Sequence, residues 1–91
     1  MTKVEIYTKN WCPYCARAKD HLDRKGVSYE EIDVTTDSGR ELEMIDRSER
    51  HTVPQIFIGG KHLGGSDELL VAENNGYLDW LLSGQVEGKV A

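Results

Sequence analysis

A chain of 91 residues that is 38% hydrophobic supports one small domain with one modest core, and excludes a second. Its net charge of -5, from 16 acidic and 11 basic residues, excludes the basic footprint that a general nucleic-acid binder needs. No apolar run approaches the ~20 residues of a membrane-spanning helix.

The N-terminal stretch Met1-Thr2-Lys3-Val4-Glu5-Ile6 lacks the apolar segment of a signal peptide, so a cytoplasmic location is expected. Val4-Glu5-Ile6-Tyr7 alternates and predicts a first strand. After a loop over Thr8 to Trp11 comes Cys12-Pro13-Tyr14-Cys15, which holds both cysteines of the chain. Pro13 suits the first turn of a helix, where its missing N–H costs nothing. That helix is expected to run to about Lys25 and to stop at Gly26. Cys15, Ala18 and Leu22 share its buried face, so Cys15 points to the core while Cys12 takes the exposed tip.

Ser28 to Val34 predicts a second strand, parallel to the first across a right-handed crossover. A second helix is expected over about Gly39 to Ser48, with Leu42 and Ile45 buried, Met44 partly so, and its charged positions solvated. Gln55-Ile56-Phe57-Ile58 predicts a third strand, and Gly59-Gly60 a tight turn into the return strand Lys61-His62-Leu63. Ser66 is the expected N-cap of a third helix, with Asp67 and Glu68 at its positive end. That helix carries Leu69, Leu70 and Ala72 and ends near Asn74-Asn75-Gly76. Tyr77, Leu78, Leu81 and Leu82 predict a last short helix on the sheet. The sum is an α/β fold of order βαβ-α-ββ-α, with a four-stranded mixed sheet flanked by helices. Residues 1–84 form the domain and residues 85–91 a flexible C-terminal tail.

Two cysteines spaced C-x-x-C admit a redox pair, half of a metal site, or no special role. A disulfide between positions 12 and 15 closes too short a loop to stabilise much by chain entropy. Tetrahedral zinc needs four ligands, and the chain has two cysteines; no metal is expected. His21, His51 and His62 are scattered and read as surface or hairpin residues.

Three motifs stand in order along the chain: Cys12-Pro13-Tyr14-Cys15, Thr52-Val53-Pro54 and Gly64-Gly65-Ser66-Asp67. In types and spacing they resemble those of a dithiol glutaredoxin of the small bacterial type, over nearly the whole chain. The resemblance implies a thioredoxin-like fold, glutathione as cofactor and glutathione-dependent thiol–disulfide exchange. It implies a redox-active Cys12–Cys15 disulfide and a cis Val53–Pro54 bond. It also implies a monomer whose partners are glutathione and disulfide-containing or glutathionylated proteins, ribonucleotide reductase among them.

Cys12 is the expected nucleophile, because unpaired N–H groups and the dipole at a helix start favour the thiolate that attacks a disulfide. Lys9, on the preceding loop, adds positive charge. Cys15, on the apolar face, is the expected resolving thiol. Trp11, Pro13 and Tyr14 shape the site; Trp11 either forms part of a docking surface or covers the thiols. The expected glutathione contacts are Lys9, Cys12, Tyr14, Thr52, Val53, Pro54, Gly65, Ser66 and Asp67. Backbone groups of Val53 would pair with the cysteinyl backbone, and the N–H groups of Ser66 and Asp67 would hold the γ-glutamyl carboxylate. Lys9 is the first candidate for the glycyl carboxylate and Arg40 the second. Glu41 stands where the family's pattern has Gln or a basic residue. Arg17 reads as a surface charge. Two other readings keep the same cysteines: a thioredoxin-like redoxin reduced by a flavoprotein, and a glutathione-ligated iron–sulfur carrier.

Overall fold

The computed structural model describes residues 2–84; the tail expected over residues 85–91 lies outside them. Eight elements follow in order: β1 (Val4–Thr8), α1 (Pro13–Arg24), β2 (Glu30–Asp33), α2 (Ser38–Ser48), β3 (Gln55–Ile58), β4 (Lys61–Gly64), α3 (Ser66–Asn75) and α4 (Tyr77–Leu82). They build one four-stranded sheet of order β2-β1-β3-β4. β2 is parallel to β1, while β3 is antiparallel to both β1 and β4. This is the expected mixed sheet with the expected element order. β2 is shorter than predicted because, as an edge strand, it has only β1 to pair with, from Glu30 to Asp33.

Strand alternation sorts side chains onto two faces. Val4, Ile6, Ile56 and Ile58 meet Ala18 and Leu22 of α1, Leu69 and Ala72 of α3, and Leu78 and Leu81 of α4. The other face, smaller, packs Tyr7, Ile32 and Phe57 with Val34 and with Met44 of α2. α1 is closed at its end by Lys25 and then Gly26, whose φ of 77° suits glycine.

α2 buries a different face from the one predicted. Leu42 is 67% exposed and Ile45 half-buried, while Met44 is fully buried with Ser48 one turn on. The cause is Arg47. Its guanidinium lies 4.0 Å from the centre of the Phe57 ring and covers an aromatic face where an aliphatic side chain was expected. It also donates to both oxygens of Glu5, at 3.0 and 3.2 Å, and to the Tyr7 hydroxyl at 2.8 Å. The Tyr7 hydroxyl in turn donates to Glu43. Two of the helix's charged positions are therefore turned against the sheet.

These contacts carry a pH signature. Hydrogen bonds from Arg47 hold the Glu5 carboxyl below its ordinary value, against the opposing effect of burial. Stability from a carboxyl depressed in the folded state is present above the ordinary carboxylate range and is lost as pH falls through the folded value. Arg47→Leu is expected to cost about 2 kcal/mol at pH 7, below the value for a fully buried pair because Arg47 keeps some solvent contact. The deficit should narrow as pH falls through the folded Glu5 value, where a protonated Glu5 no longer needs a cation, leaving the part that comes from the contacts with Tyr7 and Phe57. Urea titrations of both proteins across the acid range measure this.

Candidate active site

The site forms where β1 runs out and α1 begins. Cys12 is the N-cap of α1, and Pro13 fills its first position. The Cys15 N–H donates to Cys12 Sγ at 3.2 Å, as a capping oxygen would accept, and Cys12 Sγ lies 3.6 Å from the Val53 carbonyl oxygen. Both cysteines are free thiols. Cys15 is 1% exposed, as the helix stripe predicts. Cys12, expected at an exposed tip, is itself buried, at 7%. The Val53 loop covers the helix tip, which periodicity within the helix could not show.

The environments of the two sulfurs differ in kind. Burial pushes the Cys15 thiol up to about 12, with the neighbouring Cys12 sulfur adding to the effect and the Lys9 backbone and Lys19 opposing it. Cys12 sits at the start of the helix and accepts a backbone N–H there.

Beside the helix tip runs a groove of about 290 Å³. Its walls are Tyr14 on one side, the Thr52-Val53-Pro54 loop, and Gly65, Ser66 and Asp67 at the start of α3, with Arg50, Gln55 and Glu68 completing it. The Val53–Pro54 peptide bond is cis. The N-cap of α3 is Gly65 and not Ser66. Glu68 takes over the capping, its carboxylate accepting from the Gly65 N–H at 2.7 Å. That hydrogen bond, with help from Arg50, holds Glu68 below its ordinary value.

Three motifs far apart in sequence thus meet in one place. Cys12, Lys9 and Arg40, all expected to contact glutathione, are not among the residues that line the groove; Cys12 meets it only through the Val53 carbonyl. Lys9 Nζ is 3.1 Å from a Glu41 carboxylate oxygen and 5.8 Å from the centre of the Trp11 ring. Arg40 Nε is 3.2 Å from Glu43, on the α2 side of the sheet. Trp11 is 66% exposed, so it does not cover the thiols. Arg17 lies over the Tyr14 ring at 5.6 Å. Arg50, Gln55 and Glu68 were not among the expected site residues. Their signal was adjacency: Arg50 and Gln55 flank the Thr52-Val53-Pro54 motif, and Glu68 follows Asp67.

Two buried thiols on one helix turn, one capping the helix and touching an X-Pro loop at the edge of a mixed sheet, define a thiol–disulfide oxidoreductase of thioredoxin-like fold. The glutaredoxin family model matches residues 4–63. Glutaredoxin 3 of Escherichia coli K12 is 52% identical over 82 residues, covering 90% of this chain and 99% of that one. The Pseudomonas aeruginosa glutaredoxin is 48% identical over 83 residues, covering 91% and 99%. Among solved structures, the buckwheat glutaredoxin–glutathione complex matches at a TM-score of 0.83 and 29% identity, covering 91% of this chain and 78% of that one. The solution structure of the Brucella melitensis glutaredoxin matches at 0.80 and 48%, covering 100% and 96%. The chain belongs to the glutaredoxin family and is a glutathione-dependent thiol–disulfide oxidoreductase. Among the described residues, no helix is long and apolar enough to cross a membrane.

Proposed function

We propose that Cys12 is the attacking thiolate, Cys15 the resolving thiol, and the groove beside them the seat of glutathione. The observation that carries this is the meeting of Cys12 Sγ with the Val53 carbonyl at the edge of that groove. A glutathione disulfide-bonded through its sulfur to Cys12 would lie along Thr52-Val53-Pro54, within reach of the Val53 backbone. Its γ-glutamyl carboxylate would meet the free N–H groups at the start of α3, beside Ser66 and Asp67. Its ammonium would face the Asp67 carboxylate, and Tyr14 would form the opposite wall.

With a glutathionylated protein, the Cys12 thiolate attacks the glutathione sulfur. The protein's thiolate leaves and takes a proton, and Cys12 carries the glutathionyl group. A second glutathione thiolate attacks that bond, glutathione disulfide leaves, and Cys12 is again a thiolate. With a protein disulfide, Cys12 first forms a mixed disulfide with the substrate. Cys15 then loses its proton and attacks Cys12 Sγ, releasing the reduced substrate and leaving a Cys12–Cys15 disulfide. Two glutathiones reduce that bond. Once Cys12 is bound in a disulfide its sulfur no longer opposes ionisation of Cys15, which removes the smaller part of what holds the resolving thiol protonated and leaves burial as the larger part.

The proposed partners are disulfide-containing and glutathionylated proteins, with ribonucleotide reductase in that class, acted on by a monomer in the cytoplasm. Lys9 serves the glycyl carboxylate only in competition with Glu41 on this reading. Glu41→Gln is therefore expected to lower the KM for glutathione about threefold, the scale of one exposed ion pair. Saturation curves in glutathione, with a small glutathione mixed disulfide as oxidant, check this. The same assay tests the function: turnover with glutathione and glutathione reductase is expected. Turnover supported by thioredoxin reductase alone would replace it with the flavoprotein-coupled reading.

A further inference from the structure

His62 lies on β4, outside the groove. Its ring packs against Phe57, with 5.0 Å between centroids. Its Nε2 is 2.7 Å from Gln55 Oε1. Gln55 is 1% exposed, and its amide nitrogen donates to the Thr52 carbonyl at 3.0 Å and reaches the Thr52 hydroxyl at 3.2 Å. The next residue after Thr52 is Val53, whose carbonyl faces Cys12 Sγ.

The directions of these bonds follow from the donor and acceptor inventory. A carbonyl oxygen only accepts, so the Gln55 amide NH2 has to face Thr52. That leaves Gln55 Oε1 toward His62, and the His62 Nε2 has to carry a hydrogen. Burial, with Arg50 and Arg47 adding and Glu68 opposing, holds His62 below its ordinary value, so the neutral Nε2–H ring is the working form. The result is a one-way chain from His62 through Gln55 to the Thr52 backbone. Remove the His62 donor and Gln55 Oε1 becomes a buried acceptor without a partner. The amide is then oriented from the Thr52 side alone.

We propose that His62 is a positioning residue: acting through Gln55, it holds the Thr52-Val53 backbone at the place from which it meets the cysteinyl backbone of glutathione beside Cys12. This rests on the groove reading given above. The simpler role for His62 is to satisfy a buried amide, which would affect stability and leave substrate affinity alone. The two separate in kinetics.

The experiment uses the full chain, glutathione with glutathione reductase, and the mixed disulfide of glutathione with 2-mercaptoethanol. His62→Phe keeps a ring on Phe57 and removes the donor. His62→Gln supplies an N–H near the same place. Gln55→Glu keeps an acceptor for His62 and removes the donor to Thr52, and serves if His62→Phe does not fold. Asp67→Asn, on the far wall, reports on the groove independently of His62. Losing one buried hydrogen bond predicts a KM for glutathione raised about five- to tenfold in His62→Phe and Gln55→Glu, with kcat within about twofold. His62→Gln is expected to recover most of it, and Asp67→Asn to raise KM on its own. If Asp67→Asn raises KM while His62→Phe and Gln55→Glu only lower Tm, the positioning role is overturned and the groove stands. If none of them changes KM, the groove reading falls and the positioning role with it.

Discussion

Cys15→Ser is expected to keep most of its activity on glutathionylated substrates and to lose direct reduction of protein disulfides, while Cys12→Ser falls to background in both. The two thiols share one helix turn but not one environment. The donor to Cys12 Sγ is the Cys15 backbone N–H, which a serine at position 15 leaves in place. Its side chain therefore costs the glutathione half-reaction about 1 kcal/mol at most, within roughly fivefold in rate. The protein-disulfide route needs a second sulfur to displace the substrate from Cys12, and a serine hydroxyl is no substitute for a thiol in that step. Cys12→Ser removes the sulfur that opens both routes. Parallel assays on a glutathionylated peptide and on a protein with one reducible disulfide read the split. If Cys12→Ser retained either activity, or Cys15→Ser retained both, the roles assigned here would be wrong.

The burial of Cys15 was legible in the sequence because helical periodicity reports burial: Cys15 lies in register with Ala18 and Leu22, and all three are buried. The order of elements was legible for the same reason, with glycines marking the ends of α1 and α3 and the hairpin turn. Contacts between elements were another matter. Leu42 looked like core and is exposed, because Arg47 covers the Phe57 face by stacking and ion pairing. Nothing within α2 announces which of its charges will be neutralised by Glu5, a residue 42 positions away on β1. Lys9 looked like a cation available to a ligand and pairs with Glu41 across two elements. The link from His62 to Gln55 depends on how β4 pairs with β3 and on an irregularity in that pairing between Ile56 and Phe57. Local pattern sets which face a residue takes; only the register of the assembled sheet sets whom it meets there.

Gly64→Ala is expected to lower stability by about 3 kcal/mol, or roughly 15 °C in Tm for a domain of this size, and to weaken glutathione binding in the protein that remains folded. Gly64 ends β4 at φ 129°, a conformation that L side chains rarely adopt. A Cβ there would stand 2.7 Å from Glu68 Cγ and 2.8 Å from Glu68 Cβ. Those atoms are not the free end of a side chain, because the Glu68 carboxylate is held by the Gly65 N–H and by Arg50. Relief requires the start of α3 to move. Gly65 has little room for that, since a Cβ at its position would already lie 3.3 Å from the Pro54 carbonyl oxygen. The turn before α3 and the cis-proline loop therefore brace one another across the groove, and displacing one displaces the other. A double mutant separates the two costs at Gly64. Glu68→Ala alone should cost about 1 kcal/mol, as a lost helix cap does. Combined with Gly64→Ala it should cost less than the sum, because the overlap with Cγ and the carboxylate carbon disappears, while the overlap with the Cβ of residue 68 and the backbone strain stay. Strict additivity of the two substitutions in urea melts would show that the Glu68 side chain beyond Cβ is not what requires glycine at position 64.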